Sequence, residues 1–413
     1  MAHRVVVTGM GIVSPIGNNV AEFWTGIEQG RSGGGPITHF DATDYPTRIA
    51  AEVKDFDPRA VMDGKEARKM DVFSQFAVAA AIEAMNDAKL APGDVDPERL
   101  GVITGCGIGG FDSLESSYEK LFLVGPHRVP PMTIPKMIPN IGPGNIAIQL
   151  NAQGVCLNIT TACSSGTDAI GSALMWLRNG SHDAIIAGGV ESAIVKMGVM
   201  GFCVLQALTT RNDDPQRASR PFDRDRDGFL LGEGAGMLVL ETLEHAQARG
   251  AHIYAELAGY GATCDAIHLT APHPEGRGAA RAMQLALADA GLKPEAIDYV
   301  NAHGTSTPMN DPIETAAIKR TFGDHAYRLK VSSTKSMTGH CIGAAGGIEA
   351  IVCIKAIEQQ FFPPTINFEN PDPKCDLDYV PNKGVKGKID VTMSNSLGFG
   401  GHNGVVVMKR FVS

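Results

Sequence analysis

Cys163 is the residue best placed for nucleophilic chemistry in this chain, in the run Thr160-Thr161-Ala162-Cys163-Ser164-Ser165-Gly166. Residues 157–177 read as a short strand, a turn of small residues and a helix whose apolar face is Ala169, Ile170, Ala173, Leu174 and Leu177. That places the sulfur at the amino end of the helix, where unpaired N–H groups and the macrodipole favour a thiolate. A thiol needs partners, and two histidines offer themselves: His303 in NAHGTST at a strand end, and His340 in STKSMTGHCIG before a helix. Both stand among glycines and hydroxyls rather than on an apolar stripe, in turns that parallel the one around Cys163. Lys335, Glu349 on the following helix, and Asp311 and Glu314 in a turn after NAHGTST supply charges that fix imidazole orientation. The glycine run around Phe399, residues 398–401, brings backbone N–H groups close enough for an oxyanion hole. No paired-histidine spacing accompanies these groups, so no metal site is expected. On residue types alone, the constellation would equally suit a protease or a redox enzyme.

These side chains need a layered scaffold, and the pattern provides one. Apolar runs ending in glycine alternate with helical segments, as in an α/β protein: RVVVTG, GVITG, HDAIIAGGVE and GMLVLE in the first part, IYAELAGYG, AIDYVN, LKVSS and a terminal hairpin VTMSNSLGFGGHNGVVVMKRF in the second. The pattern restarts near residue 251, giving two related halves, 1–250 with the cysteine and 251–413 with the histidines and Lys335, the repeat being structural rather than literal. GVITGCGIGG has the glycine spacing of a dinucleotide site. The chain then runs into GPHRVPPMTIPKMIP, too proline-rich for the next central strand, so a glycine turn lining a pocket, with Ile108 facing the occupant, is the better reading. KEARKMD is expected to open the long helix FSQFAVAAAIEAMNDA, with Lys65, Arg68 and Lys69 on one face. Residues 211–232 read as a charged surface segment whose aspartates pair with arginines rather than form a calcium loop.

The chain has 413 residues, 44% of them hydrophobic and 20% charged, enough for a large core. A net charge of −9 argues against nucleic acid as partner. No stretch suits a signal peptide or a membrane span, so a cytoplasmic protein without membrane insertion is expected. The eight cysteines are scattered without a CxxC pair, which supports neither a zinc cage nor a disulfide framework.

TTACSSG, VNAHGTSTP, SSTKSMTGHCIGAAG and NSLGFGG, in this order, closely resemble the β-ketoacyl-acyl-carrier-protein synthases of the thiolase fold, and the likeness covers essentially the whole chain. A histidine in NAHGTSTP excludes the acetyl-CoA-primed class III enzymes, and the cysteine context looks most like the elongating type II synthases of fatty-acid synthesis. The resemblance implies an acyltransferase with a layered αβαβα core, acting as a homodimer without a cofactor, its substrates carried on the phosphopantetheine arm of an acyl carrier protein. It implies that Cys163 takes the acyl chain, with its oxyanion on the N–H groups of Cys163 and Phe399. His303 and His340 would hold the enolate formed as malonyl-carrier protein loses carbon dioxide, Lys335 with Glu349 would hold the histidines, and Phe399 would gate the site. Thr305 and Thr307 match positions that bind the phosphopantetheine arm, and Lys65, Arg68, Lys69 and Arg128 match the carrier-docking patch. Ile108, Met197, Gly198 and Phe202 would line the acyl pocket, joined by Thr133 and Ile134 across the dimer interface.

Some positions depart from the family pattern: His402 in place of threonine, Cys341 in place of leucine, and Met132 and Thr133 in place of larger aromatics, which affects chain-length preference. A polyketide ketosynthase is the nearest alternative. A non-catalytic chain-length or carrier-binding partner would be expected to lack the cysteine, and a thiolase needs a second cysteine that NSLGFGG does not have.

Overall fold

The computed structural model describes residues 2–412. Ten strands form one hydrogen-bonded sheet: β1 (Val5–Val13), β2 (Leu100–Gly105), β3 (Cys156–Ile159), β4 (Ala184–Glu191), β5 (Gly234–Thr242), β6 (Ala255–Cys264), β7 (Tyr299–Asn301), β8 (Lys330–Ser332), β9 (Val391–Gly398) and β10 (His402–Lys409). Their order is β8-β7-β9-β10-β6-β1-β5-β4-β2-β3. Each half therefore has the same order, third-second-fourth-fifth-first, and the first strands of the two halves meet at the centre, where β1 pairs antiparallel with β6. The directions repeat as well. The third, second and fourth strands of each half run parallel, and the fifth joins antiparallel on both sides.

Six helices complete the layers, α1 (Val72–Asp87), α2 (Ile141–Leu150), α3 (Ser165–Arg178), α5 (Arg277–Asp289), α6 (Asn310–Phe322) and α7 (Ala345–Gln359), and a further helix, α4 (Lys196–Val204), packs in a separate cluster. Alternation along the strands assigns the faces. Val405 and Val407 join α5 and α6 in one core, whereas Val406 and Met408 join α3 and α7 in another. In the first half, Ile186 and Val239 face α1 and α2, while Ile185 and Leu238 face the central pair α3 and α7. Helices α1 and α2, the first half's strands, α3 with α7, the second half's strands, and α5 with α6 thus make five layers, the αβαβα arrangement expected.

Part of the repeat is literal in the sequence after all. Gly9 and Gly11 on β1 lie under α1, where an added Cβ would stand 2.2 Å from the Ala84 carbonyl and 2.0 Å from that of Ala80. Gly259 and Gly261 on β6 lie under α5 in the same way, 2.3 Å from the Ala286 carbonyl and 2.2 Å from that of Ala282. A Gly-x-Gly strand facing an Ala-x3-Ala helix brings backbone onto backbone in both halves.

Two expected local structures differ. KEARKMD does not open α1: Gly64–Ala67 forms a separate turn of helix, and Asp71 caps α1 afresh by accepting the Phe73 N–H at 3.2 Å. The aspartate competes for backbone donors at the point where the apolar run begins, and it breaks the helix there. Residues 211–232 are not a surface segment throughout. Arg220, Asp223 and Arg226 are buried, with Arg220 paired to Asp223 and Arg226 to Asp372. The Arg220–Asp223 pairing is legible in the sequence; the burial of both its partners is not.

Candidate active site

The turn Ala162–Ser164 joins β3 to α3 and holds Cys163 at the amino end of that helix, as its sequence implies. The turn is strained at Ala162, whose φ of 51° is left-handed and costs an alanine about 1 kcal/mol. Asp168 on the first turn of α3 stands beside it, its Oδ2 accepting from the hydroxyls of Thr161 (2.5 Å) and Ser164 (3.0 Å).

His303 follows β7 and is fixed through its backbone. Glu314 on α6 accepts the N–H groups of His303 at 2.8 Å and Gly304 at 2.7 Å. His340 is held in the same manner, its N–H donating to the Leu230 carbonyl at 2.7 Å and its own carbonyl accepting from Gly232 at 2.9 Å. The two rings meet edge to face, 5.3 Å apart, and the donor atoms of Cys163, His303 and His340 lie within 4.8 Å of one another. They are a thiol and two imidazoles of metal-ligand type, but the Lys335 ammonium acts on all three and disfavours a second cation. Lys335 itself is buried and ion-paired to Glu349.

Burial sets the proton states. Both histidines are 3% exposed or less, and desolvation, reinforced by Lys335, holds their pKa values well below the ordinary imidazole range. They are neutral imidazoles at neutral pH, each able to donate one N–H. Burial also pushes the Cys163 thiol up to about 12, against the lowering pull of Lys335 and of the Phe399 and Cys163 N–H groups. The helix terminus therefore does not by itself make the resting sulfur a thiolate, contrary to the expectation from the turn. Desolvation of a nearly enclosed sulfur outweighs the dipole.

A cavity of about 460 Å³ opens onto these groups, lined by Ile108, Phe202, Thr305, Thr307 and Phe399 together with the cysteine and the histidines. The Thr305 and Thr307 hydroxyls are 3.0 Å apart. The Phe399 backbone N–H faces the Cys163 thiol and pulls its pKa down, and Gly398 is required beside it, since a Cβ there would stand 2.8 Å from the Thr161 carbonyl and 3.1 Å from the Cys163 nitrogen.

Other expected site residues stand elsewhere. Met197 is exposed on α4 with its N–H bonded to Glu115, and Gly198 is buried against the Ala193 carbonyl, so neither lines the cavity of a single chain. Thr133 turns its hydroxyl to Ser117 and the Pro130 carbonyl, and Ile134 is exposed on the outer surface. Asp311 and Glu314 are on α6 rather than in a turn, and they hold backbone, not imidazole: Asp311 accepts the Phe222 N–H at 2.8 Å and faces Arg226. Lys65, Arg68, Lys69 and Arg128 are all exposed, with Lys69 paired to Glu66 and the Arg68 carbonyl accepting from Lys136.

Glu191 was not anticipated. It ends β4, fully buried, and accepts N–H groups from Gly107 (2.8 Å), Ile108 (3.2 Å), Gly109 (3.4 Å) and Gly343 (3.1 Å), tying the pocket loop to the second half. The signal was there: a lone carboxylate closing an otherwise apolar strand.

The chain resembles known proteins along nearly its whole length. The model of the β-ketoacyl synthase N-terminal domain matches residues 2–246, and that of the C-terminal domain residues 254–369. The chain is 54% identical over 408 residues to 3-oxoacyl-[acyl-carrier-protein] synthase 2 of Synechocystis sp., covering 99% of this chain and 98% of that protein. It is 52% identical to the protein of the same name from Coxiella burnetii, covering 99% of each. Among solved structures, a type II polyketide synthase's ketosynthase in complex with its acyl-carrier protein and bound to the hexaketide superposes with a TM-score of 0.93 at 36% identity over 100% of both chains. The ishigamide ketosynthase/chain length factor gives 0.94 at 40% identity, again over 100% of both.

Proposed function

Because this chain belongs to the β-ketoacyl synthase family, we propose that it is an acyltransferase that condenses an acyl group held on Cys163 with malonyl-acyl carrier protein, giving 3-oxoacyl-acyl carrier protein and carbon dioxide in fatty-acid elongation. The observation that carries this reading is the meeting of one thiol and two neutral imidazoles within 4.8 Å on a mostly apolar cavity.

In the first step the Cys163 sulfur attacks the thioester carbonyl of the acyl carrier. The oxyanion is received by the N–H groups of Cys163 and Phe399, the carbon–sulfur bond to the carrier breaks, and the carrier leaves as a thiol with the proton that Cys163 gave up. A thiol at about 12 needs such help, because its thiolate is scarce until the proton departs. In the second step the bond to the malonyl carboxylate breaks, carbon dioxide leaves, and the electron pair moves into the thioester as an enolate. Its oxygen takes one N–H from each of His303 and His340. Neutral imidazoles suit this task, since they stabilise the negative oxygen without quenching the carbanion by proton transfer. The carbanion then attacks the acyl-Cys163 carbonyl, the carbon–carbon bond forms, and the carbon–sulfur bond breaks; Cys163 departs as a thiolate and takes one proton from solvent, the proton consumed overall. Lys335 with Glu349 maintains the site's potential, and Phe399, at the cavity edge, gates between the two steps.

Thr305 and Thr307 are assigned to the phosphopantetheine arm, and Lys65, Arg68, Lys69 and Arg128 to the acidic carrier protein, by steering on an otherwise acidic chain. A homodimer is supported by the unpaired edge strand β3, with Leu157, Met175 and Trp176 exposed 43%, 54% and 36%. Thr133 and Ile134 of one copy would then complete the acyl pocket of the other, and sedimentation at the mass of a single chain would refute this. We assign residues 1–250 and 251–413 as the two halves and the cytoplasm as the place of action; no described helix is long and apolar enough to cross a membrane.

The test supplies purified protein with acyl-carrier protein and malonyl-carrier protein. Equimolar carbon dioxide and 3-oxoacyl product is expected, and carbon dioxide without condensation would refute the reading. Full-length likeness to polyketide ketosynthases favours a second reading, which repeated extension of an unreduced product would support.

A further inference from the structure

We propose that Asp168 and Tyr260 are positioning residues for acyl transfer, holding the Cys163 N–H at the angle the oxyanion requires. The proposal rests on the condensing function argued above.

The residues on either side of the nucleophile, Thr161 and Ser164, turn their hydroxyls to one carboxylate oxygen, Asp168 Oδ2, at 2.5 and 3.0 Å, the Ser164 hydroxyl also lying 2.9 Å from the Thr161 carbonyl. The other oxygen, Oδ1, accepts the hydroxyl of Tyr260 at 2.9 Å. Asp168 is buried, and among the described residues it has no ion-pair partner. Its charge is met by three hydroxyls and the start of α3. Tyr260 comes from β6 in the second half, and its ring lies so close to α3 that a Cβ on Gly171 would stand 2.2 Å from it. Gly404 on β10 is equally necessary, for a Cβ there would stand 2.6 Å from Asp168 Oδ1. The clamp is thus built from both halves and brackets the Ala162–Cys163 peptide through Thr161 and Ser164; that peptide's carbonyl accepts the Ser165 hydroxyl at 2.6 Å, and its direction fixes where the Cys163 N–H points.

The molecule contains its own control. The turn Ile342–Ala344 before α7 has the same form, with Ile342 at φ 46° in the place of Ala162. In that copy Gly343 stands for Cys163, and Cys341, Ala344 and Ile348 stand for Thr161, Ser164 and Asp168. The left-handed turn therefore forms without a carboxylate clamp on its flanking side chains, its Gly343 N–H being held instead by Glu191 at 3.1 Å. The clamp occurs only where the turn carries the nucleophile, which points to a service to the sulfur and its N–H rather than to the turn as such.

The test separates the two half-reactions. Single-turnover acyl transfer from acyl-carrier protein is measured in Asp168→Ala, Asp168→Asn and Tyr260→Phe, and decarboxylation of malonyl-carrier protein is measured for the same substitutions in a Cys163→Ala chain. Asp168→Ala is expected to slow acyl transfer about 10- to 100-fold, as misplacement of a reacting group does. Asp168→Asn, which loses an acceptor but keeps the shape, falls between it and wild type. Tyr260→Phe, a deletion of one oxygen that leaves the fold intact, gives about a 3-fold loss. Decarboxylation, which uses His303 and His340, stays within about twofold in every case. Parallel losses in both half-reactions would mean a merely structural role and overturn the proposal, as would unchanged acyl transfer in all three variants. Failure of the wild-type protein itself to become acylated would instead refute the underlying function.

Discussion

In the turn before α3, Ala162 is left-handed and leads into Cys163; in the turn before α7, Ile342 is left-handed and leads into Gly343. Both turns pass at once into a helix, and the two helices pack on each other at the centre of the molecule. The first copy keeps a thiol and a carboxylate clamp. The second has lost both, and the backbone of Gly343 comes so close to the first half that its N–H reaches Glu191 at 3.1 Å. The chemistry of the second half stands instead on the chain that approaches its turn, where His340 is, and on the loop after β7, where His303 is. On the proposed function the two copies of the scaffold divide the work, with the first half holding the acyl group and the second handling the malonyl unit.

That division can be broken by substitution. The largest effect is expected at the matched pair of turn positions. Cys163→Ala should reduce acyl transfer by at least about 10³-fold in single-turnover assays, with an unchanged melting temperature. Gly343→Ala should leave the nucleophile in place and instead destabilise the fold by about 2 kcal/mol in denaturant titration, because its Cβ would stand 2.5 Å from the Gly107 nitrogen and 2.9 Å from Glu191 Oε2. Should Gly343→Ala abolish acyl transfer in a fully stable protein, the two turns are not specialised as described.

Next in size are the imidazoles. His303→Ala and His340→Ala should each slow malonyl decarboxylation about 10²-fold, the loss typical of one oxyanion donor, while acyl transfer to Cys163 changes less than about tenfold. Equal losses in both steps would erase the distinction between the halves.

A further break concerns pH. With the Cys163 thiol pushed up to about 12 by burial, its thiolate fraction grows with pH across the whole neutral range. Alkylation of Cys163 by iodoacetamide, followed by peptide mass spectrometry, should accelerate about tenfold per pH unit from pH 6 to 9. A plateau near pH 8 would mean that the helix terminus and Lys335 outweigh desolvation, as the sequence by itself suggests.

What the sequence displayed and what it hid follow a physical line. Strands ending in glycine, the terminal hairpin, Cys163 in its turn and both histidines were legible because they depend on neighbours in the chain: periodicity, turn residues and helix starts. Glu191, Asp168 and Tyr260 were not, because their meaning lies in partners brought together by folding. Tyr260 meets Asp168 across the boundary between halves, and Glu191 collects N–H groups from two separate loops. The parallel drawn between the turns of Cys163 and His340 was right in kind and displaced in register, since the residue matching Cys163 is Gly343. Glu314 holds His303 by its backbone N–H and Asp311 holds Phe222, so neither orients an imidazole, a distinction that side-chain identity cannot carry. The proton state of Cys163 is hidden for a similar reason: a helix start is visible in sequence, whereas enclosure of the sulfur depends on the tertiary structure around it.

The most direct measurement of the central claim is a two-stage trap. The protein is first incubated with acyl-carrier protein alone, then with malonyl-carrier protein, and intact mass and peptide maps are taken at each stage. One acyl group should appear on Cys163 in the first stage and vanish in the second, matched mole for mole by carbon dioxide and 3-oxoacyl-carrier protein. An acyl group on another cysteine, or one that persists when malonyl-carrier protein is added, would contradict the account.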